Sequence, residues 1–136
     1  MKITTTNRPD ESADEMIDKG LDRHAENFVT ENGECLSVYC HDKEGNFIGG
    51  LLGETCGNWF HIWQFWVTQS HRGASLGTNI LDAAEKEAIK RGCKASHVDT
   101  FSFQAPEFYL KRGYHQFGLL EEYGGKFSRV FLKKQL

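Results

Sequence analysis

The chain has 136 residues, of which 39% are hydrophobic and 26% are charged, and its formal net charge is −3. This size and composition are typical of one globular domain with a hydrophobic core, so a single domain over residues 1–136 is expected. The sequence has no run of lysine and arginine that would indicate a nucleic-acid partner. It also has no apolar stretch that approaches the roughly 18 residues of a membrane span. The first residues lack the apolar centre of a secretion signal, so we expect a cytoplasmic protein without a membrane partner.

The N-terminal part is predicted to contain a strand and then a helix. Lys2–Thr6 is a short β-branched run that is typical of a strand. Asp10 or Ser12 is expected to cap a helix that runs to about Val29 and ends in segment 31–33. Its apolar residues recur at helical spacing: Met16, Ile17, Leu21, Ala25, Phe28 and Val29.

The centre of the chain is predicted to be an antiparallel meander. Strands are expected at Leu36–Cys40, Phe47–Leu52 and Trp59–Val67, and turns at 42–46 and 57–58 separate them. The third strand carries large aromatic residues on both faces, which is typical of a central strand buried on both sides.

The second half alternates helices and strands, which predicts a mixed sheet with helices packed on it. A loop over Thr68–Gly77 leads into a long amphipathic helix that runs to about Arg91, and Gly92 stands at its expected C-cap. The remaining predicted elements are a strand at Ala95–Thr100, a short helix at Ala105–Lys111, and a hairpin of strands Tyr114–Leu119 and Phe127–Leu132.

The cysteines and histidines do not follow a metal-binding spacing. The six histidines include no H-E-x-x-H pair, and no two cysteines form a C-x-x-C pair. The expectation is therefore free, mostly packed thiols and no metal site. The four cysteines are Cys35, Cys40, Cys56 and Cys93.

The loop after Val67 has the arrangement of an anion site. A strand leads into small residues and then into a helix N-terminus, which presents unpaired amide N–H groups and the positive end of the helix dipole. Gly73 and Gly77 keep side chains away, and Arg72 adds a fixed positive charge. The pattern is neither a Walker A loop nor a G-x-G-x-x-G fingerprint. A strand–helix connection that merely needs small residues is the alternative.

The segment Arg72-Gly-Ala-Ser-Leu-Gly77 resembles the [Gln/Arg]-x-x-Gly-x-[Gly/Ala] signature of the GNAT superfamily of N-acetyltransferases. In that superfamily this loop holds the pyrophosphate of coenzyme A. Ser75 stands where the family usually has its first glycine, and it would be strained if the position requires a positive φ. The resemblance implies a cofactor site formed by Arg72, Gly73, Ala74, Ser75, Leu76, Gly77 and Thr78.

A second segment, which begins at Ser102 about 30 residues later, is similar to the family motif Asn-x-x-Ala-x-x-Phe-Tyr-x-x-x-Gly-Phe/Tyr. Ser102 replaces the usual asparagine, and the matching residues are Ala105, Phe108, Tyr109, Gly113 and Tyr114. Two motifs in the family's order imply its fold. That fold is α/β (α+β), with a mixed, mostly antiparallel sheet of about six to seven strands and helices on both faces. The resemblance also implies acetyl-CoA as the cofactor, with Ser102 and Phe108 among the residues that bind it.

The resemblance further implies roles for individual residues. The tyrosine that matches Tyr109 is a general acid for the departing thiolate in relatives, whereas the alternative is simple core packing beside Phe108. Relatives also have a bulge near the end of the strand that matches Trp59–Val67. Backbone groups there bind the pantetheine arm and polarise the thioester, which carries over to Phe65, Trp66 and Val67.

His61 is the first candidate for the base that deprotonates the acceptor amine. It stands eleven residues before Arg72, an offset at which histone-acetylating relatives have a glutamate. The alternative is a strand histidine packed among aromatic residues. Glu54 and Asp99 are further candidates, and a chain of water molecules serves instead of a base in many relatives.

The resemblance implies acetyl transfer by direct attack of a primary amine, from a small molecule or a peptide, in a ternary complex. A catalytically weak acyl-CoA-binding sensor or partner module of the same fold is the alternative, and a plain structural domain is the third interpretation. The sequence does not identify the acceptor and leaves a homodimer open. Glu121 and Glu122 in the last hairpin loop are either attractive to a cationic amine or simply solvated.

Overall fold

The computed structural model describes residues 1–28 and 32–136. These residues form two compact units, Met1–Asn32 and Gly33–Leu136, so the single domain over the whole chain stays a prediction. The predicted end of the first helix, from Val29 to Glu31, lies outside the described residues. No helix of the described part is long and apolar enough to cross a bilayer.

The first unit contains one helix, α1 (Glu11–Ala25). Of the two predicted caps, Asp10 is the N-cap, and its side chain accepts hydrogen bonds from the amides of Ser12 and Ala13, which lack partners within the helix. The strand predicted at Lys2–Thr6 is wrong, because these residues are exposed and pair with no strand among the described residues. β-branched residues alone do not form a strand without a neighbour to complete the ladder.

The second unit is a six-stranded sheet with two α-helices and a short 3-10 helix at Gln69–His71. The strands have the order β1-β2-β3-β4-β6-β5, and only the β3–β4 pair is parallel. The mixed, mostly antiparallel sheet predicted from the sequence is therefore confirmed. Its elements are β1 (Glu34–His41), β2 (Phe47–Cys56), β3 (Trp59–Val67), α2 (Leu76–Lys90), β4 (Ala95–Phe101), α3 (Pro106–Leu110), β5 (His115–Leu120) and β6 (Arg129–Gln135).

The core lies between α2 and one face of this sheet. Burial alternates along β2 and β4, as expected for strands with one covered face. The buried side chains of α2 pack on that face, and Tyr109 of α3 joins the same core. The members of this core include Leu36, Leu51, Phe60, Ile62, Ile80, Leu81, Ala84, Ala88, Val98, Tyr109 and Leu132.

The face of the sheet opposite this core carries exposed aromatic side chains. Within residues 33–136 both α-helices contribute to the same core, so the expectation of helices on both faces stays a prediction. The prediction that β3 is buried on both sides is wrong: Phe60 and Ile62 are buried, but Trp59, Trp63 and Trp66 are exposed. An aromatic strand is stable with one face covered, because cross-strand ring contacts remain available on the other.

A buried polar network joins α2 to the sheet beside Tyr109. The Tyr114 hydroxyl is hydrogen-bonded to Glu85 Oε1 at 3.0 Å and to Ser96 Oγ at 2.9 Å, and Lys134 Nζ lies 2.8 Å from Glu85 Oε2. Burial raises the pKa of Tyr114, so its hydroxyl stays protonated. Because these groups satisfy one another, the network fixes Tyr114 against Tyr109, whose ring centre is 5.5 Å away.

Candidate active site

Strands β3 and β4 part in the middle of the sheet. Their parallel ladder joins Trp59–Ile62 to Ala95–Val98 and ends there, although β3 continues to Val67. The pairing with β2 shifts between Leu52 and Gly53, which makes Trp63 a bulged extra residue at the point of divergence. The predicted bulge near the end of β3 is therefore misplaced.

Gly53 supplies a physical reason for the position of the bulge. A Cβ atom there would lie 2.5 Å from the backbone oxygen of His61 and 2.7 Å from the ring of Phe60. Only glycine allows this close approach of the two strands, and a glycine within a strand commonly marks a bulge.

Beyond the bulge, alternate backbone groups of β3 face the gap. The amide of Thr68 donates to the carbonyl of Ile48 at 2.9 Å, so Val67 and Gly49 form a non-hydrogen-bonded pair of the antiparallel ladder. By the same alternation, the backbone groups of Phe65 and Val67 point away from β2, whereas those of Trp66 point towards it. Two of the three backbone positions predicted to contact the cofactor thus face the gap.

The gap opens into a cleft of about 910 Å³. Residues from β3, β4, α3, the start of α2 and the loop before it form its walls. The predicted site residues that line it are Phe65, Trp66, Val67, Arg72, Gly73, Ser75, Gly77, Thr78, Phe108 and Tyr109. The predicted residues that are not among its lining residues are His61, Ala74, Leu76 and Ser102.

At one end of the cleft lies the N-terminus of α2. Arg72 folds back and donates through Nε to the carbonyl of Val67 at 3.0 Å, which places its charge beside the loop. A Cβ atom on Gly77 would lie 3.4 Å from the ring of Phe108, so the glycine lets the first turn of the helix approach α3. The helix has 15 residues and begins here, so its positive dipole end faces this part of the cleft.

Ser75, the N-cap residue of α2, has a φ of 63° and makes no side-chain capping hydrogen bond. The strain expected if serine replaced glycine at a left-handed position is therefore present. Neighbouring Gly73 also has a positive φ, of 81°, which shows that the loop turns through two left-handed positions.

Arg112 is a second cation at the same end, and no sequence motif indicated it. Its Nε donates to Thr78 Oγ1 at 3.0 Å, and its guanidinium lies 5.3 Å from the centre of the Phe108 ring. The residue lines the cleft. Thr78 and Phe108 thus hold Arg112 beside the start of α2, where it adds a second positive charge to that of Arg72.

Tyr109 is both packed and accessible. Its ring is 5% exposed and contacts Phe65, Phe108 and Tyr114. Among the described residues the Tyr109 hydroxyl has no hydrogen-bond partner. Every fully buried polar side-chain atom in that part of the chain has one, so this hydroxyl is not fully buried. The hydroxyl therefore reaches the cleft. Burial, with a smaller contribution from Asp99, raises the pKa of Tyr109, so the phenol is protonated at neutral pH.

His61 lies on the exposed face of β3. It stacks on His97 with ring centres 4.2 Å apart, and its Nδ1 accepts a hydrogen bond from Trp63 Nε1 at 3.1 Å. Accepting at Nδ1 requires the neutral tautomer with its proton on Nε2. Burial lowers the pKa of His97, and the nearby His61 lowers it further. These ring contacts fit the packed alternative, and the role of His61 as a base stays a prediction.

Of the predicted residues that do not line the cleft, Leu76 packs against the core and Ser102 lies in the turn after β4. The Ser102 hydroxyl accepts from the amide of Ser128 at 3.0 Å, and its own amide donates to the carbonyl of Ser128 at 2.8 Å. The side chain of Gln104 accepts from Thr100 Oγ1 and from the amide of Phe101. Ser102 and Gln104 thus shape the turn between β4 and α3, which in turn positions Tyr109.

We predict that Ser75→Gly raises the free energy of unfolding by up to about 1 kcal/mol, because glycine adopts the left-handed conformation without a Cβ clash. Ser75→Ala is the matched control, since it removes the hydroxyl and keeps the Cβ atom. Urea denaturation of the three proteins measures the change. Equal stability of the glycine and alanine variants would contradict the strain.

We predict that His97→Gln reduces the loss of stability in mild acid. Because the folded state lowers the pKa of His97, the unfolded chain binds more protons as the pH falls below about 6.5, and the folded state loses stability there. The variant should lose less unfolding free energy than the original protein between pH values of about 7.5 and 5.5. His24→Gln, at an exposed position, is the control, and identical pH slopes for the His97 variant and the original protein would refute the prediction.

Comparison with known proteins agrees with this geometry. The model of the acetyltransferase (GNAT) family matches residues 2–114. The chain is 35% identical over 104 residues to blasticidin-S acetyltransferase from Streptomyces morookaense, with 76% of each chain covered. It is 29% identical over 100 residues to an acetyltransferase from Agrobacterium fabrum, covering 74% of this chain and 73% of the relative. The crystal structure of an acetyltransferase from Bacillus cereus matches with a TM-score of 0.89 and 30% identity over 98% of both chains. The predicted family is thus confirmed: this chain belongs to the acetyltransferase (GNAT) family of acetyl-CoA-dependent enzymes.

Proposed function

We propose that this enzyme transfers the acetyl group of acetyl-CoA to the primary amine of a small molecule, by direct attack within a ternary complex. The observation that carries the proposal is the cleft between β3 and β4, which extends from the start of α2 to the Tyr109 hydroxyl. One relative is named for the acetylation of blasticidin S, which favours a small molecule over a peptide as acceptor. A cytoplasmic location belongs to the same proposal.

The pyrophosphate of the cofactor would bind at the start of α2. Amide groups of the first turn, the positive end of the helix dipole and the charges of Arg72 and Arg112 all favour an anion there. Gly77 lets this first turn pack against Phe108, and Thr78 holds Arg112 in place.

The pantetheine arm would lie in the gap between the diverging strands. The backbone groups of Phe65 and Val67 face that gap and are suited to the amides of the arm and to the thioester oxygen. Polarisation of this oxygen makes the carbonyl carbon more electrophilic, and it stabilises the charge that develops as the amine attacks.

Tyr109 would stabilise the departing thiolate. A free thiol has a pKa of about 8.5, and the pKa of Tyr109 is raised above that of an ordinary phenol. Full proton transfer from Tyr109 to the thiolate is therefore unfavourable, and we propose that the phenol donates a strong hydrogen bond. The proton that the attacking amine loses balances the one that the departing thiolate gains when it becomes the free thiol.

His61 remains the proposed base, with a condition that the geometry adds. Its Nδ1 lone pair is engaged by Trp63, so that hydrogen bond must be released before Nδ1 can accept a proton. Direct attack is favoured over an acyl-enzyme route, since no cysteine is among the described residues that line the cleft.

We predict that Tyr109→Phe lowers kcat at least about tenfold and changes the Kd of acetyl-CoA less than twofold, because the hydroxyl acts on the leaving group and not on the bound cofactor. A thiol-release assay over a panel of primary amines measures kcat, and calorimetry measures the Kd. Tyr39→Phe, which removes an exposed hydroxyl on β1, is the control.

Equal losses in kcat and in cofactor affinity would contradict this role of Tyr109. Binding of acetyl-CoA without thiol release from any amine of the panel would refute the enzymatic proposal and favour an acyl-CoA-binding module.

A further inference from the structure

The charges that line the cleft are segregated. Arg72 and Arg112 lie at the end where α2 begins. Among the described lining residues the one carboxylate is Asp99, on the strand that forms the opposite wall. The acidic residues of the last hairpin loop, Glu121 and Glu122, are not among these lining residues. A cleft that is cationic at one end and acidic at another is suited to two ligands of opposite charge.

Asp99 stands at the fork of the sheet. It follows Val98, the last residue of β4 that pairs with β3, just as Trp63 follows Ile62 on the other strand. Asp99 also contributes to the raised pKa of Tyr109, so its charge acts at the phenol that we place beside the thioester. This carboxylate is therefore close to the position that the attacking amine must reach.

The carboxylate is held on one side and free on the other. Arg129 Nε lies 2.7 Å and Nη2 lies 2.5 Å from the same atom, Asp99 Oδ2, and the aspartate side chain is 24% exposed. Within residues 1–28 and 32–136 no hydrogen-bond partner of Oδ1 is found. Arg129 thus orients Asp99 and leaves one oxygen available to a ligand.

Aromatic rings, in addition to Asp99, hold Arg129. Its guanidinium lies within 5.7 to 5.8 Å of three ring centres, those of Phe101, Tyr123 and Phe131. These ring contacts restrict the guanidinium, and through it they restrict the Asp99 carboxylate that lines the cleft.

Exposed aromatic side chains surround this part of the cleft. Trp63 is 47% exposed and Phe103 is 58% exposed, and both line the cleft. Phe103 stacks on Phe101 with ring centres 5.3 Å apart, and Phe101 in turn contacts Arg129. A carboxylate oxygen beside aromatic faces is the arrangement that binds an ammonium group with an adjoining apolar body.

From the proposed function and these contacts, we propose that the acceptor is a small cationic amine whose ammonium group binds Asp99 Oδ1 before it loses its proton. Trp63 and Phe103 contact its apolar part, and Arg129 positions the carboxylate. Amines that are neutral at pH 7 form no ion pair with Asp99, so the enzyme discriminates against them.

The test compares phenethylamine, which is cationic at neutral pH, with para-ethylaniline, which has a similar shape and is neutral. Asp99→Asn should raise the KM for phenethylamine about tenfold, because a charge-assisted hydrogen bond is lost. The KM for para-ethylaniline and the Kd of acetyl-CoA should change less than twofold. Glu107→Gln is the control, since it removes the same charge from an exposed position outside the cleft.

An unchanged KM for phenethylamine in the Asp99 variant overturns the proposal, and so does acetylation of para-ethylaniline alone by the original enzyme. The Kd of acetyl-CoA verifies that the variant is folded. Should the variant fail to bind the cofactor, the salt dependence of the original enzyme decides, because the KM for phenethylamine must rise with ionic strength. Absence of thiol release with every amine contradicts the proposed function itself.

Discussion

The short parallel ladder between β3 and β4 is the constraint on which the site depends. The two strands pair over four residues each and then separate, so the backbone of β3 beyond Ile62 has a neighbour on only one side. Backbone N–H and C=O groups inside a protein require partners, and a cleft that exposes them is prepared for a ligand with amide groups of its own. The bulge at Trp63 and the glycine opposite it, Gly53, place this opening near the middle of the sheet.

Much of the fold could be predicted from the sequence, because its signals are local. The bounds of β3 were predicted correctly, since Val67 and Trp59 are flanked by turn and loop residues. Gly92 ends α2 with a φ of 94°, as its place after a long amphipathic helix indicated. The two family motifs led to Tyr109 and to the strained Ser75, because each is defined by residue spacing.

Features that depend on distant residues could not be predicted. Lys2–Thr6 has strand-like residues, but strand formation requires a partner that the local sequence does not specify. The position of the bulge depends on how Gly53 meets His61 across the ladder. Arg112 enters the site through its contact with Thr78, which lies 34 residues away along the chain. Asp99 was a predicted candidate for the base, but its contact with Arg129, which lies 30 residues away, could not be predicted.

The structure gives the two halves of the reaction different electrostatic surroundings. The helix dipole and the arginines make one end of the cleft favourable for phosphates. At the fork, the carboxylate of Asp99 lies close enough to contribute to the raised pKa of Tyr109, which keeps the phenol protonated. One group is a donor suited to a departing thiolate and the other an acceptor suited to an arriving ammonium group, so the same short segment of the cleft can hold both reactants.

The central claim is that coenzyme A binds with its pyrophosphate at the start of α2. Calorimetric titration of acetyl-CoA into the original protein and the Gly77→Glu variant tests it most directly, with Gly20→Glu on α1 as a control of equal charge. We expect the Gly77 variant to lose at least about tenfold in affinity, because it places a carboxylate at the positive end of the helix and a bulky side chain against Phe108. The Gly20 variant should bind normally. Absence of binding to the original protein, or equal affinity in all three proteins, would contradict the claim.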